Sequence, residues 1–568
     1  MSQISPSICR FCAAHCGVLV ETERNRVLSV AGDRDNPLYR GYVCPKGRAL
    51  AEQHSHPQRL LHSMKRGSDG LHTPIPQTQA IDEIARKLRT LLDHHGPRSI
   101  AVYVGTYSFM VPAAAPMTMA WMNAIGSPMR FMPATIDKPG KAMAMALHGR
   151  WAAGPQPFRG ADAWMLVGAN PIVSKSIGAP PHNPSGALHE AVKSGMQIIV
   201  IDPRRTEAAR LAAVHLQCRP GEDPTVIGGL IRAILAGALH DQAFVREHAT
   251  GVEALRQAVE PFTPEYVERR ADVPRELLLR AARIFATGRQ GFAVVGTGPN
   301  MAPRGTLTEY LTLCLNTLCG RWLRAGEPLP NPGVLTPATH PRAQPIAPVP
   351  AWGFGERLRV RGFTNTAAGL PTAALADEIL LEGSGQVKAL ICVGGNPVAA
   401  WPDQQRTAAA MKRLELLVSL DPEMSTTAKL AHYVIAPRLS FEQPGITLPV
   451  ETLSAYAYTM GYEVPYAQYT PQLVDPPAGS DVIEEWQFFF ELARSMGLAL
   501  SLDSAFPWIA GGQHAAPVAL DMAHAPTTDA LLGILTRGSR IPLAEVRGYP
   551  HGHVFDDDDK WQIAEAIP

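Results

Sequence analysis

The first residues able to do chemistry are four cysteines, Cys9, Cys12, Cys16 and Cys44, spaced Cys-x2-Cys-x3-Cys-x27-Cys, the last opening Cys44-Pro45-Lys46-Gly47. Three thiols on one loop, with a distant fourth to close the set, suit an iron–sulfur cluster and make electron transfer the leading chemistry. Zinc also accepts four thiolates, but its structural sites usually pair two knuckles. Covalent haem needs His directly after Cys-x-x-Cys, whereas Ala13 follows Cys12. Disulfides remain conceivable, yet nothing secretory precedes these residues.

Such a set forms only if the chain turns back on itself. Gly17 to Thr22 and Val27 to Val30 flank the polar Glu23-Arg24-Asn25-Arg26, which predicts a hairpin. Gly32-Asp33 and Asn36-Pro37 then supply turns that return Cys44 to the triplet. Residues 1–58 are therefore expected to form a small metal-stapled module.

A second pattern is an internal repeat. Val167-Gly168-Ala169-Asn170-Pro171 recurs as Val393-Gly394-Gly395-Asn396-Pro397, each after an apolar strand. Downstream, Val200-Ile201-Asp202-Pro203 with Ala209-Arg210-Leu211-Ala212 is matched by Ser419-Leu420-Asp421-Pro422 with Ala428-Lys429-Leu430-Ala431. Asn-Pro and Asp-Pro pairs also initiate ordinary turns. Two matching copies point instead to two nucleotide-type sites, because ligands of open α/β sheets bind beyond the carboxyl ends of the strands. Backbone N–H groups at the next helix hold phosphates there, and a strand-end Asp accepts from ribose or a base edge.

The elements around these motifs alternate. Thr78 to Leu92 carries Ile81, Ile84, Leu88 and Leu91 on one stripe, a helix, and Ser99 to Gly105 reads as a strand; strand and helix continue through Ala163–Val167, Gly186–Lys193 and Gln197–Ile201. The rhythm predicts an α/β protein with largely parallel sheets. Glu327 to Trp352, dense in proline, is expected to be an extended connection, and Asp556 to Lys560 a solvated acidic loop. In 568 residues, 52 Lys and Arg balance 51 Asp and Glu, which leaves no electrostatic footprint for nucleic acid. No apolar run is long enough to span a bilayer, and a cytoplasmic location is expected. Cys218, Cys314, Cys319 and Cys392 read as small buried hydrophobes.

With these motifs in order, the chain resembles the molybdopterin oxidoreductases of the dimethyl sulfoxide reductase family, which includes formate dehydrogenases and cluster-bearing nitrate reductases. Further matching segments are His56-Pro57-Gln58-Arg59-Leu60, Asp202-Pro203-Arg204-Arg205-Thr206, Arg219-Pro220-Gly221-Glu222-Asp223 and Val295-Gly296-Thr297-Gly298. The resemblance implies molybdenum or tungsten held by two pterin guanine dinucleotides, one per repeat half, with a [4Fe-4S] cluster relaying electrons. It implies that Asn170, Ser174, Asp202, Arg204, Gly221 and Asp223 bind one dinucleotide, with Asn396 and Asp421 as counterparts for the other. Gly296 and Gly298 would border the pterin, and Lys46 would lie between cluster and pterin. The loop Pro133 to Lys141 corresponds to the one carrying the protein ligand to the metal, and Asp137 is the ligand expected from it. His148, Lys138 and Lys141 follow as residues that could move protons, with solvated loop positions the simpler reading.

The domains expected are the module 1–58, a discontinuous α/β domain of 59–150 and 370–480, an α/β domain of 151–369, and a segment 481–568. Both α/β domains would be Rossmann-like and pseudo-symmetric. Relatives usually continue into a further C-terminal domain, whereas here the chain stops soon after Pro542 to Gly548, where that domain would begin. The implied activity is two-electron redox chemistry on a small substrate, formate dehydrogenase-like or nitrate reductase-like, with a protein or subunit as electron partner. The rival is a non-catalytic relay or scaffold resembling the large subunit of complex I, holding the cluster alone.

Overall fold

A computed structural model describes residues 1–503, 516–556 and 561–567. The chain opens with a three-stranded antiparallel sheet of β1 (Gln3–Ile8), β2 (Gly17–Glu23) and β3 (Arg26–Gly32). The β2–β3 turn is the expected one: Arg24 and Asn25 both take positive φ, 48° and 60°, as a two-residue hairpin requires. The Asn36 side-chain oxygen then accepts from the Leu38 and Tyr39 amides at 3.0 and 2.9 Å, and the Gly41 amide donates to the Asp33 carbonyl. That return brings Cys44 back beside the triplet.

Two parallel sheets follow, built from β4 (Ile100–Val104), β5 (Ala163–Val167), β6 (Gln197–Ile201), β7 (Val214–Leu216), β8 (Gly291–Val295), β9 (Ala389–Val393), β10 (Leu416–Leu420) and β11 (Tyr433–Ile435). The first sheet has the order β7-β6-β5-β8, and the second contains β11-β10-β9-β4. The second also carries Met64–Arg66 and His72–Pro74 antiparallel beyond β11, and Arg130–Phe131 beyond β4. Five residues of β5 pair in parallel with β6 and β8, and five of β9 pair likewise with β10 and β4.

These strands are near-continuous apolar runs because helices bury both faces of each sheet. Met165, Val167, Ile199 and Ile201 face helices Asp223–Ala236 and Arg275–Thr287, while Trp164, Leu166, Ile198 and Val200 share a core with Val18, Val20 and Leu50 of the N-terminal module. The second sheet packs Ile100, Val102 and Ile391 against helices Gln77–His95 and Glu485–Ser495, and Ala101, Leu390 and Leu417 against Leu375–Leu380 and Gln404–Arg413. The four non-cluster cysteines are buried, as expected.

The proline-dense stretch lies against the rest of the molecule. It is docked rather than running free: the amides of Val334, Leu335 and Thr336 all donate to the Glu451 carboxylate at 2.9–3.0 Å, and Leu329 and Ala343 donate to the carbonyls of Trp561 and Ala564. A segment poor in N–H groups leaves few to satisfy, and one buried carboxylate satisfies three of them.

The N-terminal module is tied down by residues far along the chain. Arg10 donates to the carbonyls of Gln443 and Pro444, Ser7 pairs with Thr470 at 2.8 Å, and the Asn36 amide donates to Tyr466 and to the His551 carbonyl. His551 also pairs with the fully buried Asp33 at 2.8 Å. Of the expected acidic loop, residues 557–560 lie outside the described residues. Among the described residues no helix is long and apolar enough to cross a membrane.

Candidate functional site

The cysteine triplet is closed by its own backbone, with the Cys9 amide donating to the Cys16 carbonyl at 2.8 Å and the His15 amide to the Cys12 carbonyl at 3.2 Å. The Cys44 turn packs onto it, since a Cβ on Gly47 would stand 3.2 Å from the Cys9 sulfur. A single tetrahedral zinc would draw four thiolates to about 3.8 Å from one another, given its ~2.3 Å bonds. Among the described residues, no three of these sulfurs lie within 4.8 Å of one another. The four thiols stand near enough to feel one another's charge, as the ligands of a polynuclear cluster would.

Burial dominates the electrostatics of the Cys9 and Cys16 thiols, as it does for the four cysteines outside the module. Burial pushes the Cys9 thiol up to about 12 and Cys16 well above its usual range, with the neighbouring thiols adding to the shift. Such thiols ionise only when metal binding replaces their protons. His15 lies within the same loop at φ 43°; its ring is fully buried, burial holds it neutral with a pKa of about 3, and neither ring nitrogen has a partner. Beneath lies a buried polar seam. Glu485 is pushed up to about 7 by burial and by Glu484, opposed by Arg10. Lys46 is exposed, with its ammonium 5.4 Å above the Phe11 ring, and its charge lowers the Cys9 and Cys12 thiols.

Every expected dinucleotide residue lies past the carboxyl end of a parallel strand: Asn170 after β5, Asp202 and Arg204 after β6, Gly221 and Asp223 after β7, Gly296 and Gly298 after β8, Asn396 after β9, and Asp421 after β10. Asn170 and Asn396 cap short helices with nearly the same backbone, φ −123°, ψ 83° and φ −121°, ψ 81°. The preceding glycines, Gly168 and Gly394, have φ 54° and 58°, and a Cβ on either would collide with Pro299 or Ser108. Gly296 is pressed to the Gly168 carbonyl, as Gly105 is to that of Gly394. Asp202 accepts from the Arg204 amide at 2.8 Å, and Asp421 from the Glu423 amide at 3.1 Å.

The side chains differ between the two loops. The Asn170 amide donates to Glu207, but its oxygen is buried without a partner; the Asn396 oxygen accepts from both Thr426 and Thr427 hydroxyls and the Thr427 amide. In the first half Asp223 is buried with one oxygen unpartnered, pushed up to about 6 by burial and by the nearby Asp202 and Glu222. Ser174 and Arg204 are exposed, and Gly221 takes φ 84° with open space around it. Buried acceptors lacking donors are costly, and they fit a ligand that brings N–H or O–H groups.

Asp137 ends the short helix Ala134–Asp137, which packs against Thr297–Met301 just past Gly296. Its carboxylate pairs with Lys138. Lys141 and His148 are not the solvated loop residues expected. Lys141 is buried, donating to the Val295 carbonyl at 2.6 Å and Glu309 at 2.9 Å, and His148 pairs with Thr317. Asn300 completes this network by donating to Glu309 and accepting from the Gly140 amide. Sequence reading missed Glu309, since its partner Lys141 stands 168 positions away. It also missed Lys175, whose only signal was its place directly after Ser174.

Comparison with known proteins bears on this geometry. The molybdopterin oxidoreductase Fe4S4 domain matches residues 2–56, and the molybdopterin oxidoreductase family matches residues 59–493. The chain is 26% identical to a probable oxidoreductase, YoaE, of Bacillus subtilis over 77% of this chain and 62% of that one. It is 23% identical to the F420-dependent formate dehydrogenase subunit alpha of Methanocaldococcus jannaschii, over 87% of this chain and 70% of that one. Its fold matches acetylene hydratase from Pelobacter acetylenicus with a TM-score of 0.71 at 22% identity, covering 87% and 69% of the two chains. The chain thus spans between about three fifths and seven tenths of the length of these proteins. The family's cofactors, a [4Fe-4S] cluster and a molybdopterin bearing molybdenum or tungsten, suit the four thiols and the unpaired acceptors described above. Two matches that between them take in most of the sequence make the assignment plain: this chain belongs to the molybdopterin oxidoreductase family.

Proposed function

We propose that the chain catalyses two-electron redox chemistry on a small substrate at molybdenum or tungsten held by two pterin guanine dinucleotides, one at each matching sheet. The carrying observation is the pair of loops at Asn170 and Asn396, closely matched in backbone at the capping asparagine and both opening at the carboxyl ends of parallel strands. The two Rossmann-like domains of this reading are 151–369, and 59–150 with 370–480. The bound metal and pterins would supply the redox chemistry itself.

The protein's part follows from its own residues. Asn170 and Asp223 present acceptors to a dinucleotide's N–H and O–H groups; in the second half Asp421 would accept in the same way, while Asn396, its oxygen already taken, would offer its side-chain N–H. Asp137 is the proposed protein ligand, since an anionic oxygen suits a hard, high-valent ion. Lys138 holds its carboxylate until then. The buried Lys141–Glu309–Asn300 network fixes the following helix, Pro139–His148, and so the place of Asp137. Lys46 stabilises the extra electron on the cluster, from which a partner protein or subunit would draw it. A cytoplasmic location is part of this proposal.

Anaerobic purification with elemental and pterin analysis tests the proposal. The enzyme should hold about four irons and one molybdenum or tungsten per chain, with two guanine dinucleotides. Iron alone would leave only an electron relay. Asp137→Ala should at least halve the retained molybdenum or tungsten without changing iron, and unchanged metal would remove Asp137 as ligand.

A further inference from the structure

The two matching loops part company at one position. Five residues after each asparagine the short helix ends, on Lys175 in the first loop and on Trp401 in the second. Trp401 has extended backbone, φ −82° and ψ 152°, and is buried edge-on against Tyr103 with ring centroids 5.2 Å apart. Lys175 instead adopts the left-handed conformation, φ 61° and ψ 11°, which residues other than glycine seldom take. Its ammonium donates to the Ile172 carbonyl and stands 5.6 Å from the centroid of Tyr42, two residues before the ligand Cys44. The strained turn therefore sets a cation against the cysteine module, over a ring two residues before Cys44, and only the loop of the sheet that shares its core with that module does so.

We propose that Lys175 is a second cation tuning the iron–sulfur cluster, favouring its reduced state alongside Lys46. A cluster that gains an electron becomes more negative by one charge, and a fixed positive charge in a partly buried setting lowers the free energy of that state. The Tyr42 face helps hold the ammonium in place through a cation–π contact. The inference rests on the presence of the cluster and not on the molybdenum chemistry.

The test is an EPR-monitored redox titration of anaerobically purified, cluster-loaded protein carrying Lys175→Met, Lys175→Arg or Lys46→Met. Lys175→Met should keep the wild-type iron content but lower the reduced-to-oxidised ratio at a fixed potential about tenfold, equivalent to about 59 mV for a one-electron couple. Lys175→Arg should restore most of that ratio, and Lys46→Met should give a shift of the same sign. A Lys175→Met ratio within about twofold of wild type at full iron content overturns the inference, as does Lys175→Arg behaving like Lys175→Met. Loss of guanine dinucleotide with an unshifted ratio would reassign Lys175 to phosphate binding, and the inference falls. Should Lys175→Met not retain iron, Lys175→Gln is titrated in its place under the same criteria. Wild-type protein free of iron would instead sink the cluster assignment itself, a different failure.

Discussion

The loops at Asn170 and Asn396 each leave the first of three consecutive parallel strands and cap their helices with nearly the same backbone angles, yet they treat their polar atoms in opposite ways. In the second, Thr426 and Thr427 saturate the asparagine oxygen, so the loop is complete by itself. In the first, buried oxygens of Asn170 and Asp223 are left without donors. The contrast shows that one scaffold can be used twice at different cost. A self-satisfied loop holds its shape without ligand, whereas a loop with orphaned acceptors gains stability only when a ligand supplies donors.

The largest effect should fall on the shared backbone. Gly168→Ala and Gly394→Ala each place a Cβ within 2.4 Å of a neighbour at a positive φ, and each should destabilise the protein by about 3 kcal/mol in denaturant unfolding. If one of the two is tolerated, the loops are not equivalent.

Asp223→Asn sharpens the contrast through pH. A carboxyl whose folded pKa is raised to about 6 binds a proton that the unfolded chain has already released. Stability therefore falls as pH rises from about 4 to about 6, and above that window the buried charge costs on the order of 2–3 kcal/mol. The cofactor-free Asn variant should lose this slope and be about 2 kcal/mol more stable than wild type at pH 8, while retaining less guanine dinucleotide. A wild-type stability curve that rises over the same window would contradict the stated cause.

The smallest effect compares the asparagines directly. Asn396→Ala strands three donors and should cost about 2 kcal/mol, whereas Asn170→Ala loses only the contact to Glu207 and should cost about 0.5–1 kcal/mol without ligand. Equal costs would mean that a partner already fills the first loop.

Much of this could be read from the sequence. The cysteine spacing, the two Asn-Pro and Asp-Pro series and the apolar strands are local signals, set by turn chemistry and by burial on both sheet faces. The polar pairing was not legible, because Lys141 and Glu309, Arg59 and Glu442, or Glu451 and the proline-rich stretch meet only after the chain has folded over more than a hundred residues. Periodicity carries no trace of such meetings. The same limit hid Lys175, whose direction depends on which sheet lies against the cysteine module.

The clasp between Asp33 and His551 spans 518 positions of sequence. At a ribosomal pace of ~5–20 residues per second, Asp33 emerges roughly half a minute to two minutes before the histidine that clasps it. The N-terminal module therefore reaches this anchorage only after more than five hundred further residues have been made.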